Sequence, residues 1–152
     1  RDKKGLSDPT VSRRTGFLDY MGEHCPETGI VNLVIDPHSI EAIDRVMDEA
    51  LLNDSSRKYI VMFNSRVHLV ADYLRRRGLK DCRVVGFDFL EKNLQALRSD
   101  LVQLLISQHT DMHTVSAVRA MSDYLIFGKI PSKRDNYTQM DILNRLNCDY
   151  YL

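Results

Sequence analysis

Short apolar runs alternating with amphipathic stretches predict an α/β fold, an open and mostly parallel sheet flanked by helices. Two observations carry that expectation. The runs Ile30–Ile35, Tyr59–Phe63, Arg83–Phe87 and Leu101–Ile106 are too short and continuous for amphipathic helices. The intervening stretches repeat apolar residues at helical spacing over roughly 10–17 positions. A third observation concerns polar residues. Asn64, Asp88 and Gln108 each lie at or near the end of an apolar run, and ligands of open α/β sheets collect beyond the carboxyl ends of the strands.

Taken in order, residues 1–12 are polar, with Gly5, Ser7, Asp8 and Pro9, and read as a loop. Residues 12–24 form a short helix with Phe17 and Met21 on one face. Ile30–Ile35 is the first strand. Asp36-Pro37 then starts a helix, with Asp36 as N-cap and Pro37 in the first turn. Ile40, Ile43, Met47, Ala50 and Leu51 keep helical spacing there.

Tyr59–Phe63 is the next strand, and Asn64 or Ser65 can cap the helix that follows. That helix turns Val67, Val70, Ala71 and Leu74 inward, and Gly78 stands where a left-handed C-cap glycine belongs. Arg75-Arg76-Arg77 closes it as a solvated basic run that complements the helix dipole. Strands follow at Arg83–Phe87 and Leu101–Ile106. A helix over 111–127 carries Met112, Val115, Val118, Met121 and Leu125 on its inward face, ended by Gly128 and Pro131. Tyr137–Leu143 reads as a last strand, and Tyr150 and Tyr151 as a tail packed on the sheet.

Composition narrows the function classes. The 152 residues suit one domain with a real core. A hydrophobic share of 43% and a charged share of 28% are ordinary for a soluble globular chain. The formal net charge of +0 leaves no electrostatic footprint for nucleic acid. No run approaches the roughly 20 apolar residues that span a bilayer, so no membrane partner is expected. The opening Arg1-Asp2-Lys3-Lys4-Gly5 lacks a methionine and an apolar signal core, as expected of a processed chain or a fragment.

Cys25, Cys82 and Cys148 are odd in number, far apart and without a CxxC pair. They read as reduced thiols of a cytoplasmic protein, Cys82 being core. His109 and His113 have an i, i+4 spacing that suits two metal ligands, but no third ligand accompanies them. His24, His38 and His68 read as partly exposed. Neither a Gly-x-Ser-x-Gly elbow nor a Gly-rich phosphate loop is present. The expectation is a protein without enzymatic activity, metal or cofactor.

Binding chemistry is what remains. Arg13, Asn64 and Asp88 offer a guanidinium fork, a mixed amide and an acceptor pair, the groups that grip a polyhydroxylated small molecule. Each also has a structural reading: a helix-start arginine, an N-cap and a loop-capping carboxylate.

The ordered set Arg13-x-x-Gly16-Phe17, Phe63-Asn64-Ser65, Val84-Val85-Gly86-Phe87-Asp88 and Ser107-Gln108 resembles the lactose/galactose-repressor family and its relatives, the type I periplasmic sugar-binding proteins. The resemblance covers nearly the whole chain. It implies the C-terminal lobe of a two-lobed effector domain over 1–152, with a crossover helix over 111–130 that packs on the other lobe. It implies ligand contacts from Arg13, Asn64, Asp88 and Gln108, with Asp36 and His38 on the cleft rim. Ser65 and Phe89 stand where the family often has acidic residues. The expected partner is a small-molecule effector, a sugar, bound between the lobes. DNA would be reached only through an N-terminal helix-turn-helix domain outside this sequence. The resemblance also implies a central strand just before the arginine motif, which the sequence does not contain, and the exposed crossover helix favours a homodimer.

Other readings remain open on sequence alone. One is a lobe of an extracytoplasmic sugar-binding protein or sensor. Another is a receiver phosphorylated at Asp88, although Asp36 stands alone where an acidic pair would be needed. A last one is a segment kept only for dimer assembly.

Overall fold

The computed structural model describes residues 9–53, 56, 58–108, 110–133, 136 and 139–151. Helix α1 (Pro9–His24) is followed by α2 (Ile40–Leu51), β1 (Tyr59–Val61), α3 (Val67–Arg77) and β2 (Arg83–Phe87). Then come α4 (Glu91–Arg98), β3 (Leu104–Ser107), α5 (Thr110–Phe127), β4 (Asp141–Leu143) and a 3-10 turn, Cys148–Tyr151. The sheet runs β1-β2-β3-β4. The first three strands are parallel, in register through Ile60 with Val84 and Gly86 with Leu105. β4 runs antiparallel to β3, with Leu143 opposite Leu105. The open, mostly parallel α/β sheet expected from the sequence is therefore present.

One face of the sheet holds the core. Ile43 and Met47 of α2, Val70 and Leu74 of α3, and Leu94 and Leu97 of α4 close over Val84, Leu105 and Leu143. Strand alternation puts these three on the same side. Gly86 lies on that side as well, and a Cβ there would come within 2.6 Å of the Val67 side chain. The glycine is what lets α3 approach β2 so closely. Gly78 ends α3 at φ 67°, and its N–H bonds the Arg75 and Leu74 carbonyls as a left-handed cap does.

Helices α2 and α3 are fastened by charge. Asp48 accepts from the Tyr73 hydroxyl at 2.9 Å and from Arg77, while Arg76 pairs with Asp44. The arginine run is thus an ion-pair bank rather than a purely solvated face. The Arg77 guanidinium, against the opposing effect of partial burial, holds the Asp48 carboxyl below its ordinary range, helped by the Tyr73 hydroxyl. Burial first, and Asp48 second, push the Tyr73 phenol up to about 12. Cys82 is buried, and desolvation raises its thiol.

Several local expectations need correction. Helix α1 begins at Pro9, three positions before the expected 12, because proline is favoured in a first turn. Ile30–Ile35 forms no strand, and no backbone hydrogen bond falls on it among the described residues. Strand character depends on a hydrogen-bonded neighbour, and its side chains except Ile35 are exposed.

The N-cap of α2 is Ser39, whose hydroxyl accepts from Ala42 N, while Asp36 accepts from His38 N in the turn before it. Helix α3 starts after Arg66, whose own side chain makes no cap; Asn64 Oδ1 accepts from Arg66 N and closes a turn instead.

The Met112, Val115, Val118, Met121 and Leu125 face of α5 is not inward, with exposures from 52% to 79%. Tyr150 is 86% exposed, and Cys148 is the tail residue that packs into the core. The Tyr151 side chain, His109 and the Tyr137 end of the expected last strand lie outside the described residues. Helix α4, eight residues long, has too short a period to stand out in the sequence.

Candidate functional site

The carboxyl ends of three parallel strands point the same way, so the residues just beyond them share one rim. Asn64 follows β1, Asp88 follows β2 and Gln108 follows β3. Helix α1 brings Arg13 across to that rim from the other side of the sequence.

Asp88 is the centre of the cluster. Its Oδ1 accepts from Gln108 Nε2 at 2.7 Å and from Arg13 Nη2 at 3.3 Å. Arg13 Nη1 donates to the Phe63 carbonyl at the end of β1, at 2.7 Å. Its guanidinium lies over the Phe87 ring, 4.2 Å from the centroid. Arg13 is thus held by a carbonyl, a carboxylate and an aromatic face at once. One turn further along α1, Phe17 packs against Phe63 with centroids 5.5 Å apart.

The backbone at Asp88 has a φ of 70°, a region that aspartate tolerates better than most residues. Its N–H bonds the Ile106 carbonyl of β3 at 3.0 Å. A residue held in a sparsely populated conformation at a strand end fits a site that needs its carboxylate aimed.

The remaining hydrogen-bonding capacity shows what the cluster can do. Among the described residues no hydrogen bond falls on Asp88 Oδ2, leaving an acceptor of charge-assisted bonds. Arg13 uses Nη1 and Nη2 and keeps further N–H donors from its fork. Gln108 keeps its side-chain carbonyl as acceptor, and Asn64 its amide N–H groups as donors. Arg13 and Asp88 remain partly accessible, with side-chain exposures of 14% and 24%. Low exposure strengthens their bonds, and part of each side chain still meets solvent.

The structure joins Arg13, Asp88 and Gln108 directly. Asn64 stands on the same rim. Asp36 and His38 form a turn of their own, and among the described residues no bond ties them to the cluster. The Phe63 carbonyl and the Phe87 ring, which fix Arg13, were not legible as partners: one is backbone, and the other reads as a core strand residue. No group of His, Cys, Asp and Glu among the described residues could hold a metal ion. No helix is long and apolar enough to cross a membrane, again among the described residues.

No protein-family model matches the chain, and no curated protein matches it. Solved structures do. A Bacteroides fragilis protein assigned as a LacI transcriptional regulator superposes with a TM-score of 0.87 at 31% identity, over 97% of this chain and 52% of its own. The chain has the type I periplasmic-binding-protein-like fold. It corresponds to one lobe of it.

Other structures with this lobe include an Agrobacterium vitis transporter solute-binding protein bound with α-D-tagatopyranose. It has a TM-score of 0.76 at 21% identity over 91% of this chain and 46% of its own. A periplasmic ribose transporter protein from Conexibacter woesei matches at 0.75 and 21%, over 93% and 48%. The chain spans about half the length of the solved structures it matches. These neighbours are a regulator and sugar-binding proteins, not enzymes.

Proposed function

We propose that this chain is the C-terminal lobe of the sugar-sensing domain of a cytoplasmic transcriptional regulator. The observation that carries the reading is the Asp88 carboxylate. Gln108 and Arg13 hold one oxygen and, among the described residues, leave the other free, at the carboxyl ends of three parallel strands. Asp88 accepts from adjacent sugar hydroxyls and Arg13 donates to ring or hydroxyl oxygens. Asn64 and Gln108 add an amide donor and an amide acceptor. Short, directional, charge-assisted bonds of this kind suit sugar stereochemistry.

The likeness to the Bacteroides fragilis regulator supports a cytoplasmic sensor, and so do three free cysteines. A second lobe closes the cleft, and a helix-turn-helix domain elsewhere in the polypeptide reads DNA. Sugar binding alters DNA affinity only to the extent that it favours one arrangement of the lobes. No bond in the ligand is broken. The exposed face of α5 packs on the second lobe, and the regulator works as a homodimer.

A second reading is a lobe of an extracytoplasmic sugar-binding protein, favoured by the likeness to the two transporter proteins. The cleft chemistry is the same in both. A helix-turn-helix upstream in the polypeptide supports the first reading and a signal peptide the second.

The test is a thermal-shift panel of D-ribose, D-tagatose, D-arabinose, D-galactose and lactose on the full-length protein, repeated with Asp88→Asn. Asparagine tolerates the left-handed backbone at this position, whereas alanine would be strained there. A sugar that stabilises the wild type and not the variant is the expected result. A cooperative melt that no sugar moves would turn the reading toward a ligand of other chemistry or a lobe kept for assembly.

A further inference from the structure

Asn93, in the first turn of α4, is completely buried, an unusual place for an amide. Burying it is tolerable only if its polar atoms are bonded, and they are. The two Nδ2 hydrogens are shared among the Ser65 carbonyl at 2.9 Å, the Asp88 carbonyl at 3.0 Å and the Phe87 carbonyl at 3.2 Å. Oδ1 accepts from His68 N at 3.2 Å and lies 2.9 Å from His68 Nδ1. Because Oδ1 can only accept, His68 carries its proton on Nδ1.

One side chain therefore ties the turn after β1, the end of β2 and the first turn of α3. None of its bonds serves its own helix. The Asp88 N–H is already held by β3, and Asn93 holds the Asp88 carbonyl. With both backbone polar groups fixed, the left-handed conformation at Asp88 is locked and its carboxylate is aimed at the rim.

We infer that Asn93 is a positioning residue for the ligand site: it acts through Asp88, without touching ligand. This rests on the proposed reading of the Asp88 cluster as a binding site. Preorganising a binding group in this way raises affinity by removing the cost of ordering it on binding.

Asn93→Asp in the full-length protein tests it. The variant keeps the shape and both bonds to His68, but turns an acceptor toward three carbonyls. Three readouts separate positioning from mere structure. The first is the NMR signal of the Gln108 side-chain amide, which reports its bond to Asp88 without any ligand. The second is amide-exchange protection at Val84 and Leu105 in the sheet. The third is affinity for each sugar of the panel, in the wild-type and Asp88→Asn backgrounds.

The expected result is a Gln108 signal shifted toward that of a free amide, with sheet protection retained. Affinity falls at least tenfold in the wild-type background and not further in Asp88→Asn, because both changes act through one group. An unchanged Gln108 signal overturns the inference, and so does an equal loss of affinity in both backgrounds. If Asn93→Asp does not fold, Asn93→Ser, which keeps one donor, is read in the same way. Failure of both to fold makes Asn93 a structural residue and also overturns it. If no sugar binds the wild type, the sugar reading fails, and the Gln108 signal alone decides whether Asn93 positions Asp88.

Discussion

On one face of the sheet, Val84, Gly86, Leu105 and Leu143 are buried beneath the helices. On the other, Leu104 and Ile142 are exposed and Val85 and Ile106 only half-buried. Both faces are apolar, yet among the described residues only one is fully covered. Helix α1 reaches the second face through Arg13, which lies over Phe87, and α1 has no buried residue of its own. The segment Ile30–Ile35 and the apolar side of α5 share that incompleteness. An apolar pattern thus marks a surface that needs a partner without identifying the partner.

The contrast can be tested most strongly by cutting into both faces. Leu105→Ala should lower unfolding free energy by about 2–5 kcal/mol, the range for emptying a packed core position. Ile142→Thr keeps β-branching on the uncovered face and should change it by no more than about 0.5 kcal/mol. Urea unfolding monitored by circular dichroism compares them, and equal losses would mean that the second face is covered in solution.

Gly86→Ala ranks next. Its methyl would meet Val67 at 2.6 Å and force α3 off β2, an overpacking cost of roughly 1–3 kcal/mol in the same assay. Gly78→Ala, which strains a left-handed cap without touching a neighbour, should cost only about 1 kcal/mol.

The smallest effect is on pH dependence, to which the bank between α2 and α3 contributes. The folded-state carboxyl of Asp48 is depressed, so its contribution is present above the unfolded value and lost as pH falls through the folded one. Tyr73 is raised from 10.0 to about 12, so its contribution is present below the unfolded value and lost as pH rises between the two. Urea midpoints should therefore fall at both extremes. Asp48→Asn should flatten the acid side, and an unchanged acid slope would count against the ion pair.

Much of the covered half was legible in the sequence. The bounds of β2, the inward face of α3 and the Gly78 cap follow from local pattern and backbone chemistry. The uncovered half was misread for one physical reason. Ile30–Ile35 has the residues of a strand and α5 the stripe of a packed helix, but neither meets a covering neighbour among the described residues.

In the site, Asp88 and Gln108 were legible because strand ends concentrate polar groups, whereas Arg13, on helix α1, was legible only through the motif that carries the family resemblance. Asp36 accepts from the His38 backbone in a local turn, a use that the sequence does not distinguish from a cleft rim. Asn93 was illegible, because its five bonds reach residues of other elements or the strand end behind it.

The central claim is that the Asp88 cluster binds a sugar in a cleft that needs a second lobe. Calorimetric titration of the full-length protein with the panel sugar that stabilises it most tests this directly, beside Asp88→Asn and beside the 152-residue chain alone. The account predicts saturable binding by the wild type. It predicts at least a tenfold loss, about 1.4 kcal/mol, in Asp88→Asn at an unchanged melting temperature, and weak or undetectable binding by the chain alone. Wild-type affinity in Asp88→Asn, or a tight complex with the isolated chain, would contradict it.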